Sequence, residues 1–364
     1  MLKEYHLMSN KNNTTSFHFL KMLYVFSVLF FSVTIKAQNI KTYNDTLFVN
    51  YKSTIKLDSV HFNIKGDRLY QLSHNGEKKL WKLTKHIPNV NEVILQYQFS
   101  TYKNSNHFLS IKSHFLGDSL HLTNQKVSAL KGHIIHDSIH SKWLKENRSI
   151  SIYLPPNYNK TSKNCPVVYL TDGAWITNYA TYIEQLIINK QIPPIVLIGV
   201  HSNDNTIKQF RTLAYLKDIH KYIPDTDSTL YSKHMKFFNE EVIEHIEAKF
   251  NVSNQQTDRM IFGCSNGAAF SLDASINYPN MYQHIILGSF GWLPLIEVKF
   301  KNTTSKYHLC AGTLEKDYSE LTKLLNELLL KEGITSHYQI YVAAHDDIMW
   351  RDFFLKSLIK IFKQ

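Results

Sequence analysis

Ser265 stands between two glycines in Gly263-Cys264-Ser265-Asn266-Gly267, where the strand-like run RMIFGC meets a helix expected from about Asn266 to Asn277. A serine on such a strand-to-helix turn can serve as a nucleophile. The flanking glycines remove side chains that would clash in so tight a turn, and the hydroxyl then projects above the sheet edge. A serine that merely caps a helix would give the same local pattern. A hydroxyl is a poor nucleophile without a base, and the base needs an orienting acid, in the chain order serine, acid, histidine. Of the 19 histidines, His345 is the best base, because it lies just beyond the last predicted strand in YVAAHDDIMWRDF. There the C-terminal edge of a parallel sheet would present it to the serine. HLCAGTLEKDY offers Glu315 and Asp317 as the acid. Either could equally be a solvated charge at the start of the next helix, where carboxylates suit the dipole. The chemistry these groups could do together is acyl transfer, with the developing oxyanion held by the backbone N–H of Asn266 and by a second amide from the loop after an earlier strand.

Such groups need a rigid scaffold, and the chain from about Gly132 onward supplies the pattern of one. RSISIYLP and NCPVVYLTDG read as strands, a helical stretch follows near 176 to 190, and PPIVLIGV is a continuous apolar run of strand length. Buried parallel strands have this appearance. In YSKHMKFFNEEVIEHIEAKF, residues 231 to 250, the apolar Met235, Phe238, Val242, Ile246 and Phe250 recur at helical spacing. Strand HIILGSF, strand KYHLCAGT, helix YSELTKLLNELLLKEG, strand SHYQIYVAA and a helix from about Met349 complete an alternation that predicts a parallel α/β sheet covered on both faces. From Asn39 to about Lys131 the periodicity is two instead, in DTLFVNY, EVILQYQF and HFLSIKSHF, separated by the turn-forming SHNGE and KNSN. This stretch predicts an all-β, sandwich-like module of roughly 90 residues.

Several of these segments carry a family resemblance in the right order. RSISIYLPPNY and PVVYLTDG within residues 148 to 173, followed by GCSNG, AGTLE and HDDIMWR, resemble the esterase D or enterochelin esterase-like group of α/β-hydrolases. The match extends over about residues 138 to 364. It implies a triad of Ser265, Glu315 and His345, with Asp317 the reserve acid, and no metal or organic cofactor. It also places the second oxyanion donor on the residue after the Asp-Gly pair, Ala174, with Asp172 ordering that loop. Trp175, Trp292 and Trp350 lie beside motifs that approach the site in such a fold and are candidates to line an acyl or alcohol pocket, or else to pack in the core. Arg211 in FRTLAYL matches an arginine of the family, although Ala214 stands where relatives usually have a glutamate. Two further departures, Ala268 in GCSNGA and the pair Ala343-Ala344 before His345, remove no catalytic group. The α/β portion is short for this fold, which implies an open cleft without a large lid.

The remaining features mostly narrow the possibilities. His133, His136 and His140 cluster in HIIHDSIH, but on an extended segment their parities split them between the two faces, against metal ligation. Cys165, Cys264 and Cys310 are odd in number and widely spaced, which speaks against a disulfide framework and a CxxC zinc site. The formal charge of +11 comes from scattered lysines, with no nucleic-acid motif among them. Lys21 precedes an apolar run of 14 residues from Met22 to Ile35, shorter than the ~20 that span a bilayer but suited to a secretory signal. Cleavage is expected after Ala37, giving a signal peptide over 1 to 37, a β-sandwich-like domain over 38 to 131 and an α/β-hydrolase catalytic domain over 132 to 364. The expectation is an exported serine esterase without a stable membrane span, acting on a small-molecule or glycan ester. Siderophore esters and carbohydrate-linked acyl esters are the competing substrates. The rival class is a glycan- or iron-chelate-binding module on a hydrolase scaffold with little turnover.

Overall fold

The structure is a computed structural model describing residues 38–65, 67, 69–74, 76, 78–158, 164–202, 209–291, 298–300 and 304–363. The expected signal peptide lies outside the described residues. Two compact units are present, the first containing Leu69–Val90, Tyr97–Ser113 and the chain up to Asn63, and the second Ile64–Arg68, Asn91–Gln96 and His114–Gln364.

The β-rich stretch holds strands β1 (Gln38–Tyr43), β2 (Thr46–Lys52), β3 (Ser59–Ile64), β4 (Leu69–Gln71), β5 (Ser73–His74), β6 (Leu80–His86), β7 (Ile94–Lys103) and β8 (Asn106–Leu116). They form two four-stranded sheets, in the orders β1-β2-β6-β5 and β4-β3-β7-β8. The period-two pattern of the sequence is the cause: alternate residues Leu47, Val49 and Tyr51 of β2 point inward, and the Tyr51 ring meets Phe99 of β7 at 5.3 Å. Tight reversals come where left-handed backbone is available, at Asn44-Asp45 between β1 and β2 and at Asn104-Ser105 between β7 and β8. Positive φ at both central residues matches the right-handed twist of a hairpin's strands.

In the second unit, strands β9 (His133–Ser141), β10 (Glu146–Leu154), β11 (Val167–Leu170), β12 (Val196–Val200), β13 (Arg259–Cys264), β14 (His284–Gly288), β15 (Lys306–Gly312) and β16 (Ser336–Tyr341) form one sheet in the order β16-β15-β14-β13-β11-β12-β10-β9. Pairings from β12 through to β16 are parallel, while β10 runs antiparallel to both β9 and β12. The continuous apolar runs become strands such as β11, β12 and β14 that are buried at every residue, because helices cover both faces. One face carries α1 (Ile176–Ile188) and α7 (Asp347–Phe362), and packs Ile183, Phe262, Phe354 and Leu358 together. The other face carries α2 (Phe210–Tyr215), α3 (Leu230–Lys236), α4 (Ile243–Lys249), α5 (Asn266–Asn277) and α6 (Lys316–Lys331), with Phe238, Ile246, Phe270 and Leu325 inside. The helix expected over 231 to 250 is continuous in space, although its middle widens into a π-helical stretch over Phe237–Val242.

From β11 the chain passes to β12 on one side and then returns to β13 on the other. Such a reversal of winding leaves a crevice beyond the C-terminal ends of the two strands. The loop that begins at Asp172 follows β11, and Ser265 follows β13.

Candidate active site

Ser265 has φ 57° and ψ −124°, a conformation that non-glycine residues rarely adopt. Its neighbours explain how the turn closes. A Cβ on Gly263 would come within 2.2 Å of the Gly267 carbonyl oxygen, and one on Gly267 within 2.3 Å of Thr171 Oγ1. The glycines are therefore required for close approach, which holds the strained serine and lifts its side chain off the sheet.

His345 reaches Ser265 from the opposite wall. Its Nε2 lies 3.0 Å from Ser265 Oγ, and its Nδ1 lies 2.7 Å from Oε2 of Glu315. Glu315 is fully buried at the end of the turn after β15, and its other oxygen, Oε1, accepts from Ser289 Oγ at 2.5 Å and from the Gly312 N–H at 2.8 Å. A buried carboxylate needs this much hydrogen bonding to remain where it is. The arrangement also leaves Oε2 for the imidazole. Trp350 Nε1 in turn donates to Ser289 Oγ at 2.7 Å. The imidazole is bracketed by aromatic rings, with Tyr318 at 4.4 Å and the edge of Trp350 at 4.7 Å between centroids, and the His345 N–H donates to the Lys65 carbonyl. Asp317 is exposed in the first turn of α6.

The amides that could receive an oxyanion sit at two element starts. Asn266 is the first residue of α5, so its N–H has no intrahelical acceptor, and the same holds for Ala174 in the single 3-10 turn Gly173–Trp175 after β11. The second loop is fixed from below by Asp172, which has left-handed backbone. Arg211 grips the Asp172 carboxylate with two bonds, Nε to Oδ1 at 2.6 Å and Nη2 to Oδ2 at 2.8 Å. Ser202 Oγ donates to Oδ1 at 2.7 Å. Burial alone would lower the Arg211 pKa, but the bonds and charge of Asp172 more than offset it and hold the guanidinium above its usual range. The arginine singled out in the sequence thus has Asp172 as its partner, so Ala214 leaves no carboxylate missing. Cys264, beside the serine, also lines the cleft, and burial pushes its thiol pKa well up, away from the thiolate form.

These groups open onto a cleft of about 400 Å³. Ala174, Trp175, Arg211, Ser265, His345 and Trp350 all line it, and Trp175 is 48% exposed. Trp292 lies outside the described residues. Lys65 and Gln96, not expected from the sequence, also line the cleft, and Ser289 and Tyr318, equally unexpected, contact Glu315 and His345. Lys65 and Gln96 come from the period-two stretch, where nothing local marks them. Ser289 follows an ordinary buried strand, and only the fold brings it to Glu315. Of the histidine cluster, His136 bonds to Ser151 and His140 to Asn147.

The Putative esterase family matches residues 141–361. The chain is 24% identical over 230 residues to the uncharacterized protein YbbA of Bacillus subtilis, covering 58% of this chain and 90% of YbbA. The ferric enterobactin esterase of Salmonella typhimurium superposes with a TM-score of 0.72 at 13% identity, covering 90% of this chain and 96% of that one. A CE1 ferulic acid esterase from Anaeromyces mucronatus does so with a TM-score of 0.51 at 12% identity, covering 66% of this chain and 94% of that one. At such identities the structural likeness speaks for the fold, that of the α/β-hydrolases. The family match, which spans more than half of the chain, says more: the protein belongs to the Putative esterase family and is a carboxylic-ester hydrolase.

Proposed function

We propose that the protein is an exported serine esterase working through Ser265, His345 and Glu315. His345 Nε2 takes the proton of Ser265 as Oγ attacks the ester carbonyl, while Glu315 keeps the imidazole in the tautomer with hydrogen on Nδ1 and offsets the positive charge it gains. The tetrahedral oxyanion is received by the N–H groups of Asn266 and Ala174. The imidazolium then gives its proton to the departing alcohol oxygen, leaving an acyl group on Ser265. Water, deprotonated by the same imidazole, attacks that acyl carbonyl and frees the acid and the serine. The observation that carries this reading is the unbroken chain of contacts, 3.0 Å from Ser265 to His345 and 2.7 Å from His345 to Glu315.

The substrate is a siderophore ester or a carbohydrate-linked acyl ester. Trp175 and Trp350 give the cleft flat apolar walls suited to a bulky acyl or alcohol group. Two proteins of similar fold are a ferric enterobactin esterase and a ferulic acid esterase, which supports both classes. A panel of siderophore, feruloyl, acetyl-sugar and simple acyl esters, run on the wild type, separates them by relative kcat/KM. Binding of a glycan or chelate with no turnover of any ester would favour a binding module instead.

Export rests on Lys21 and the apolar run from Met22 to Ile35. Among the described residues no helix is long and apolar enough to cross a membrane. N-terminal sequencing of the exported protein should begin at Gln38, and an intact Met1 there would contradict cleavage.

A further inference from the structure

We propose that His114, Asp346 and Asp347 form a binding site for one divalent cation of the zinc class beside the catalytic histidine. His114 Nε2 lies 3.8 Å from Asp346 Oδ2 and 3.7 Å from Asp347 Oδ1, and the three ligand atoms all lie within 4.8 Å of one another. Ligands held at 2.0 to 2.2 Å around a tetrahedral zinc are separated by roughly 3.3 to 3.6 Å, so the two His114 distances need only a small closure. One imidazole nitrogen and two carboxylate oxygens are donors that zinc accepts readily.

Asp346 points to a ligand independently of this spacing. Its side chain is fully buried, and only one of its oxygens is used: Oδ1 accepts the Ile348 N–H at 2.7 Å and so caps α7. Oδ2 is buried with no hydrogen-bond partner and faces His114. An unsatisfied buried carboxylate oxygen is costly to keep, and a helix cap needs only the other one. Asn would cap as well as Asp without the buried charge. The charges of His114 and, more weakly, Lys65 reach Asp346, but the Lys65 ammonium lies over the Trp350 ring, 5.7 Å from the centroid. A cation between His114 and the two aspartates would satisfy Oδ2. It would also pin the segment that follows His345 directly in the chain, on the wall of the cleft that Asp347 lines.

The site is tested on the full chain, stripped with a chelator and titrated with zinc chloride by calorimetry and by thermal melting. The wild type should bind one zinc per chain and its Tm should rise. With 19 histidines in the sequence, zinc could also bind elsewhere, so the variants decide. His114→Ala, at a partly exposed position, should weaken the binding at least tenfold and remove the Tm rise. Asp346→Asn should lose the zinc response too, because the amide keeps the cap but removes the anionic ligand oxygen. No zinc binding by the wild type, or binding that His114→Ala leaves unchanged, would overturn the proposal.

Discussion

Trp350 Nε1 donates to Ser289 Oγ, and through that hydroxyl the indole is joined to Glu315 Oε1 and so to the acid behind His345. Ser289 is therefore a positioning residue, which acts on the reaction only by holding the carboxylate. Removing a hydrogen bond to a buried charged group costs about 1.5 to 3 kcal/mol. We expect Ser289→Ala to lower kcat about tenfold or more on a p-nitrophenyl ester, with KM little changed, because Ser289 is not among the groups that touch substrate. A change in KM alone would mean that Ser289 contacts substrate rather than Glu315.

The choice of acid can be tested by comparing two carboxylates two residues apart. Glu315 is buried against His345, whereas Asp317 is exposed. Glu315→Gln should cut kcat by about a thousandfold or more, since an amide can hold the wrong imidazole tautomer. Asp317→Asn should stay within about twofold of the wild type. Steady-state kinetics on both variants checks the pair, and the reverse pattern would assign the acid to Asp317.

Acid should weaken the fold through histidines far from the site. On neighbouring strands, burial first and nearby positive groups second push His284 down to about 4 and His308 to about 3, and burial beside Arg148 pushes His234 to about 3. Folded-state values below the ordinary ~6.5 mean that the unfolded chain binds more protons under that pH. This contribution is therefore complete above about pH 6.5 and is lost as the pH falls from there toward 4 and 3. We expect Tm to drop between pH 6.5 and 4.5, and His308→Leu to show a shallower drop. Equal slopes for the two proteins would show that His308 does not contribute.

What could be read from the sequence divides along physical lines. The elements of the α/β sheet were legible because strands buried on both faces must be continuously apolar, as VLIGV and HIILG are, and because Met235, Phe238, Val242 and Ile246 mark a helix by spacing. The strand-to-helix turn at Ser265 was legible because only glycine fits at 263 and 267. His345 was placed by being next in order beyond the last strand, and Glu315 was separated from Asp317 by resemblance, since their local sequence gives no reason to bury one and expose the other. The pairing of Asp172 with Arg211, 39 residues apart, leaves no local trace. The same is true of Ser289 under Glu315, and of Lys65 and Gln96 on the cleft wall. The π-helical widening over Phe237–Val242 was invisible for a different reason, since helical periodicity survives one wide turn.

The most direct measurement is hydrolysis of a short-chain p-nitrophenyl ester by protein lacking residues 1 to 37, compared with its Ser265→Ala variant. The hydroxyl that lies 3.0 Å from His345 Nε2 is the side-chain group that bonds covalently to the acyl carbon in the proposed reaction. We expect the wild type to turn over and the variant to lose activity by a factor of about 10⁴ or more. It should fold normally, since alanine at 265 removes only the hydroxyl. Undiminished turnover by Ser265→Ala would contradict the account.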